Sequence, residues 1–454
     1  MTGQRIIEQL SQYIVAAGNR QLPEAVSEKA KHHILDTIAA MISGSRLKPG
    51  KLAIDFIRLQ GGAPESQIMG ADFLSTAINA AMVNGFMAHA DETDDSHAPS
   101  LTHPGCAIVP AALAMAEREN QSGEALLRAV VLGYDISSRI ARVMGKGTHR
   151  VEGHATHSIG PLFGAMAAAA SLSRLNPRQV CHALAYAGQQ ASGIASWPRD
   201  EEHVEKAFVF AGMGARNGVT SVLFVKHGFT GEDDIFSGND NFLEIFCPGR
   251  GEFPKWIDNL GSHYEISVAN IKKFCVGSPI QAAADAMTSL VKEHGLTGDK
   301  VKRIDVHLPP QGAQIVNNRA IPNINCQYII AVILLDGELT FEAAHAYERM
   351  ADPKVRAIQS CVNLIADPQF SAQESQRPGL VRVHLRDGRV VEKLVPAVRG
   401  TADNPMTRVE IETKCLDLLR DVLGVKRGNS LIGSLWGLEK LNSVRDLRPL
   451  LSVP

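Results

Sequence analysis

The chain has 454 residues and not one C-x-x-C pair. Its cysteines, Cys106, Cys181, Cys247, Cys275, Cys326, Cys361 and Cys415, are odd in number and widely scattered. That spacing argues against a disulfide framework, a zinc ribbon and an iron–sulfur cluster, and it fits a reducing cytoplasm. Net charge is also nearly missing: the formal value is -2 and the sequence pI about 6.8. No global field therefore draws in nucleic acid or anionic lipid, and recognition of any anion has to be local. No apolar run reads as a membrane span. The first residues, MTGQRIIEQLSQYIVAA, carry Glu8 within their apolar part and pass straight into helical periodicity, which predicts neither a signal peptide nor a membrane anchor. Nucleotide and hydrolase signatures are absent too. GMGARNG follows no predicted strand, and neither G-x-x-x-x-G-K-[ST] nor G-x-S-x-G occurs.

What is present is 45% apolar residues, enough to bury a sizeable core in two domains or in one large domain with an insertion. Residues 1–265 carry a helical apolar period through Ala-rich segments such as AKHHILDTIAAMIS, GEALLRAVVLGYDISSRIARVMG and GPLFGAMAAAASLSR, and read as all-α. From residue 266 to about 400 the texture changes. VKRIDVHLP and LVRVHLRDGRVVEKLVP alternate with period two, the latter turning at Asp387 and Gly388, while SPIQAAADAMTSLVKEHG, CQYIIAVILLDG and FEAAHAYERM keep a helical pattern between them. This part reads as a smaller α/β domain. Residues 401–454 return to helix and are expected to rejoin the first domain.

Chemistry concentrates between two apolar helical segments, in HADETDDSHAPSLTHPG. Asp91, Glu92, Asp94 and Asp95 stand there beside His89, His97 and His103. The loop is a candidate proton-transfer site on a rigid scaffold. Alternatives are an exposed acidic turn, or a divalent-metal site built from Asp91, Glu92, Asp94, Asp95 and His97. The spacing matches neither the calcium loop nor H-E-x-x-H, so the metal site is the minority reading. His149, His154 and His157 stand ahead of an Ala-rich helix whose first N–H groups can receive a carboxylate, or they are surface groups. Lys206 either pairs with Glu202 or Glu205 or meets a substrate carboxylate as a point charge. Lys272 and Lys273 open the second domain. Tyr328 lies beside an apolar helix and needs a hydroxyl partner if buried.

Taken in order, HADETDDSHAPSLTHPG, GHATHSIGP, VEKAFVFAGMGARNG, KKFCVGSPIQ and INCQYIIAVILLDG closely resemble the MmgE/PrpD family over essentially the whole chain. That family includes 2-methylcitrate dehydratase, cis-aconitate decarboxylase and iminodisuccinate epimerase. The resemblance implies a mainly α fold: a large helical domain built from both chain ends, a smaller α/β lid domain, and a homodimer. It also implies a cleft holding a di- or tricarboxylate without metal or organic cofactor. His103 and His154 match the family's active-site histidines, Lys206 its helical lysine, Tyr328 its lid tyrosine, and Lys272 or Lys273 its basic lid position. Glu92 stands where the family usually has Asp, and Ser96 where it has Thr. The characterised decarboxylases carry a histidine shortly after the lid lysine, whereas this chain has none between His263 and His294.

By this reading His103 or His154 is the proton-transfer base, and Glu92 or Asp95 orients it. Lys206 and Lys272 or Lys273 bind carboxylates, with Ser96 beside them. Tyr328 or the second histidine protonates a leaving hydroxide. Dehydration of a 2-methylcitrate-like hydroxy acid leads. Epimerisation, decarboxylation and non-catalytic carboxylate binding are the alternatives. The expected partner is a small polycarboxylate, with neither nucleic acid nor membrane.

Overall fold

The computed structural model of the chain describes residues 5–144, 153–247, 257–373 and 377–453. The protein is mainly helical, with a small α/β part. It divides into two compact units. The first comprises residues 1–90, 94–269 and 418–454, and so contains both chain ends; the second comprises 91–93 and 270–417.

In the first unit the helices Gly123–Val143 and Thr156–Leu172 run against each other. Small residues make the approach possible. A Cβ added at Gly164 would sit 2.5 Å from the carbonyl oxygen of Gly133, and the alanines at 165 and 167–170 are fully buried or nearly so. Side-chain caps fix where helices begin. The Ser122 hydroxyl accepts from Ala125 N, and Asn176 forms a reciprocal capping box with Gln179. Ile108, Val130, Phe163 and Val219 are fully buried; removing the Phe163 ring would cost about 3–5 kcal/mol.

Two local features depart from the sequence expectation. Residues 66–75 contain a short antiparallel pair, β1 (Ser66–Gln67) with β2 (Leu74–Ser75), inside the half read as all-α. The buried Gln67 amide organises it by donating to the carbonyls of Ile68 and Ala71. Second, the helical stretch Val204–Lys226 is long and apolar enough to cross a membrane by length and composition, which the sequence reading did not find. Its most apolar window is 78% buried within the protein, the signature of a core helix. A π-helical turn, Phe208–Gly212, interrupts it.

The second unit is built on a four-stranded sheet in the order β4-β3-β5-β6, where β3 is Val301–Leu308, β4 Val362–Ala366, β5 Gly379–Leu385 and β6 Val390–Val395. β3 pairs parallel with β4, and antiparallel with β5, which pairs antiparallel with β6. Val381, Val383 and Leu385 alternate inward on β5, and Gly388 turns the expected hairpin at φ 91°. The helices Gln281–His294 and Cys326–Asp336 pack on the strands. β4 was not foreseen, because VNLIA is a short apolar run without alternation. The helix expected over FEAAHAYERM breaks at Ala346 into Phe341–His345 and Tyr347–Met350. There the Tyr328 hydroxyl lies against the carbonyls of Ala343 (2.7 Å) and Ala346 (3.3 Å), which a continuous helix would engage itself.

Candidate functional site

The acidic loop joins the helix Ala77–Ala88 to the helix Gly105–Arg118, and its carboxylates are not solvated. Asp94 and Asp95 are wholly buried, and Asp91 and Glu92 nearly so. Burying four carboxylates is costly unless each is paired, and the pairings decide what each one does. Asp95 accepts from Tyr134 Oη, from His33 Nδ1 at 2.8 Å and from Gly105 N at 3.0 Å. Burial alone would raise its pKa, but these donors outweigh burial and hold the carboxylate below its usual range. Burial pushes His33 down to about 4, so it stays neutral and donates through Nδ1. Gly105 has to be glycine here: an added Cβ would meet Tyr134 Oη at 2.6 Å and the Asp95 carboxyl carbon at 2.9 Å. Asp95 thus fastens the start of the helix that follows His103.

Asp94 is the carboxylate that faces imidazoles. Its Oδ2 lies 2.9 Å from His89 Nδ1 and 3.3 Å from His103 Nδ1. The His89 side chain is fully buried, whereas that of His103 keeps 14% exposure. Burial lowers the His89 pKa despite Asp94, so its ring is held neutral. Phe210, in the π-helical turn, forms a platform for the cluster. It stacks on His89 (centroids 4.5 Å apart, planes 12°) and on His157 (4.1 Å, 12°), and lies 5.5 Å from His103. His103 and His157 are 5.8 Å apart, and His203 sits 5.1 Å from His89. Lys206 Nζ hangs over the rings of Phe210 (5.2 Å) and Trp197 (5.4 Å), placing a cation beside the imidazoles. π-helical turns of this kind recur at functional sites.

In the second unit, Lys272 is buried and donates to Glu92 O at 2.9 Å, with the Glu92 carboxylate 3.4 Å away. Arg377, at φ 49°, is also near Glu92; burial pulls its pKa down and Glu92 partly restores it. Asp91 pairs with His345 at 2.7 Å.

The MmgE/PrpD N-terminal domain model matches residues 8–253, and the MmgE/PrpD C-terminal domain model matches residues 274–437. The chain belongs to the MmgE/PrpD family. Among curated relatives, a cis-aconitate decarboxylase-like protein oryM of Aspergillus oryzae is 26% identical over 98% of this chain and 97% of its own length. A cis-aconitate decarboxylase of Aspergillus terreus is 24% identical over 95% of this chain and 93% of its own. One of Mus musculus is also 24% identical, over 95% and 90%.

In this MmgE/PrpD chain the structure brings His103 and Lys206 to one aromatic platform and revises several other expected roles. Asp95 does not lie against His103, because its oxygens are committed to His33, Tyr134 and Gly105; the carboxylate nearest that ring is Asp94. The imidazole near His103 is His157, whereas the His154 ring packs edge-on against Phe246 at 5.2 Å. His149 lies outside the described residues. Tyr328 is not placed as a proton donor: it is fully buried in the second unit's core, its hydroxyl directed at backbone carbonyls, and burial raises its pKa to about 12. Lys273 pairs with Asp285, leaving Lys272 as the lysine beside the acidic segment. Glu202 pairs with Lys48, and Glu205 accepts from Ser196, so these acids have partners other than Lys206. Ser96 is buried, and its hydroxyl has no hydrogen-bond partner among the described residues.

The ligand set Asp91, Glu92, Asp94, Asp95 and His97 does not assemble as a metal site. His97 bonds Ser100 at 2.7 Å and lies 3.1 Å from Glu265, whose carboxylate is held at about 2 because His97 and two arginines outweigh burial. His89, Asp94 and Cys106 do offer ligand atoms within 4.8 Å of one another, but the Cys106 thiol is directed at the His103 carbonyl, 3.0 Å away. His89 stands in the loop that the sequence singled out but was given no role of its own there; His203 and Arg377 were not singled out, and the signal for His203 was its place in the acidic run EEHVEK, one turn from Lys206.

Proposed function

We propose that this protein is a lyase that moves a proton next to a carboxylate of a di- or tricarboxylate, and that it dehydrates a 2-methylcitrate-like hydroxy acid. One observation carries the reading: His103, backed by Asp94, stands 5.8 Å from His157 over the Phe210 platform. Loss of water breaks a C–H and a C–O bond and forms a C=C bond. One group must take the carbon-bound proton and another must protonate the departing hydroxide. His103 takes the proton, with Asp94 stabilising the imidazolium that results, and His157 protonates the leaving group. Lys206 neutralises a substrate carboxylate and the enolate-like charge that develops on it. The reaction in this reading uses no metal or organic cofactor. Cytoplasmic location and a homodimer belong to the same proposal; the first rests on the scattered cysteines and the second on the family resemblance.

Decarboxylation of cis-aconitate is the second reading, favoured by the names of the curated relatives. It requires protonation of a single carbanion after CO2 leaves. The absence of histidine between His263 and His294 weighs against it. NMR of 2-methylcitrate, citrate, cis-aconitate and iminodisuccinate incubated with the protein in deuterated water separates the possibilities. Alkene formation with loss of water supports dehydration. Release of CO2 from cis-aconitate instead transfers the chain to the decarboxylases, and deuterium in an unaltered skeleton makes it an epimerase. Binding without turnover would contradict any enzyme assignment.

A further inference from the structure

We infer that His345 and Lys414 are positioning residues that set the conformation of the acidic triplet Asp91–Thr93. The triplet belongs to the compact unit of residues 270–417 although its neighbours in the chain belong to the other. Each of its residues is held at a different atom. His345 Nε2 lies 2.7 Å from Asp91 Oδ2, Lys272 Nζ donates to Glu92 O at 2.9 Å, and Lys414 Nζ donates to Thr93 O at 3.1 Å. His345 Nδ1 is also 2.7 Å from the Phe341 carbonyl. The Asn323 amide nitrogen lies 3.2 Å from His345 Nε2.

Asp91 closes the triplet into a turn by accepting from Thr93 N at 2.9 Å and Thr93 Oγ1 at 2.5 Å. Burial would raise its pKa, but His345 and Thr93 outweigh burial and keep it ionised. Two features point beyond simple turn closure. Lys272 and Lys414 are buried cations that each donate to a backbone carbonyl of the triplet, Lys272 with the Glu92 carboxylate 3.4 Å away, and burying cations there costs desolvation that a merely structural turn could avoid with neutral donors. The residue that follows the triplet is Asp94, the carboxylate beside His89 and His103. Fixing the three preceding residues fixes the direction from which the chain enters Asp94. This inference rests on the Asp94–His103 pair being the proton-transfer centre.

The test combines His345→Gln, Lys414→Met and Lys414→Arg in the full chain, measuring hydrogen exchange of the 89–97 segment alongside steady-state kinetics on the tricarboxylate turned over. His345→Gln and Lys414→Met should each speed exchange in that segment and lower kcat about tenfold or more, with KM changed by less than about threefold. Lys414→Arg should restore most of both. Unchanged exchange in the first two variants overturns the inference, as does a kcat loss that merely follows the loss of thermal stability and is not rescued by arginine. If the wild-type protein turns over no tricarboxylate, the functional reading fails, while the exchange data still decide whether His345 and Lys414 hold the triplet.

Discussion

His103 and His154 look equivalent in the sequence, each in a Gly- or Pro-bearing loop ahead of a helix, yet their surroundings differ. His103 has a carboxylate behind it and an aromatic platform beside it; His154 packs on Phe246. His103→Gln should lower kcat about a hundredfold or more, the usual contribution of a positioned acid or base, without a matching loss of stability. His157→Gln should show a comparable loss, whereas His154→Gln should stay within about threefold of wild type. Steady-state kinetics beside thermal melts check all three, and a larger effect at His154 than at His157 would refute the assignment. Lys206→Met should raise KM more for a tricarboxylate than for an analogue lacking one carboxylate, because only the former leaves a negative group unpaired. Equal effects would remove Lys206 from the substrate site. The sequence marked this loop by its density of titratable groups, but could not separate Asp94 from Asp95. Adjacent carboxylates differ only in which way the loop backbone turns them, and that is decided by distant residues such as His33 and Tyr134.

At the scale of elements, helices with strong periodicity and capping residues were legible, as was the hairpin at Asp387 and Gly388. What the sequence hid was set by tertiary contacts. β4 pairs in parallel with a strand about 60 residues away, and the break at Ala346 faces the hydroxyl of Tyr328. Tyr328→Phe tests the structural role: stability should fall by about 1 kcal/mol while kcat is nearly unchanged. A large kcat loss with intact stability would return the tyrosine to the chemistry. The anchoring of the Gly105–Arg118 helix through Asp95 and His33 also predicts a pH dependence. The His33 pKa falls from 6.5 to about 4 on folding, chiefly through burial, so the folded state favours the neutral ring. Its stabilising contribution is complete above pH 6.5 and is lost as pH falls from 6.5 towards 4. Asp135 opposes this, since burial raises its carboxyl to about 6 and its penalty disappears on acidification over the same range. Denaturant melts of His33→Gln should therefore show the variant gaining stability relative to the wild type as pH falls from 6.5 to 4, because the opposing Asp135 contribution is left uncompensated. A wild-type slope in the variant would contradict the pairing.

On the scale of the whole molecule, the two family models together reach from residue 8 to residue 437, and the first compact unit holds its cluster of imidazoles, Asp94 and Lys206 on a single aromatic platform. With a net charge of -2, the molecule offers a polycarboxylate no long-range attraction, so binding depends on such local cations. Activity should survive exhaustive chelation; loss with EDTA and recovery with a divalent ion would give the His89, Asp94 and Cys106 trio a role this account denies it. The central claim is that His103 transfers the proton next to the substrate carboxylate. The most direct measurement is solvent-deuterium incorporation at that carbon, followed by NMR in wild type and in folded His103→Gln. Exchange and water loss should both proceed in the wild type and both should fall by about a hundredfold or more in the variant. Exchange at the wild-type rate in His103→Gln would contradict it.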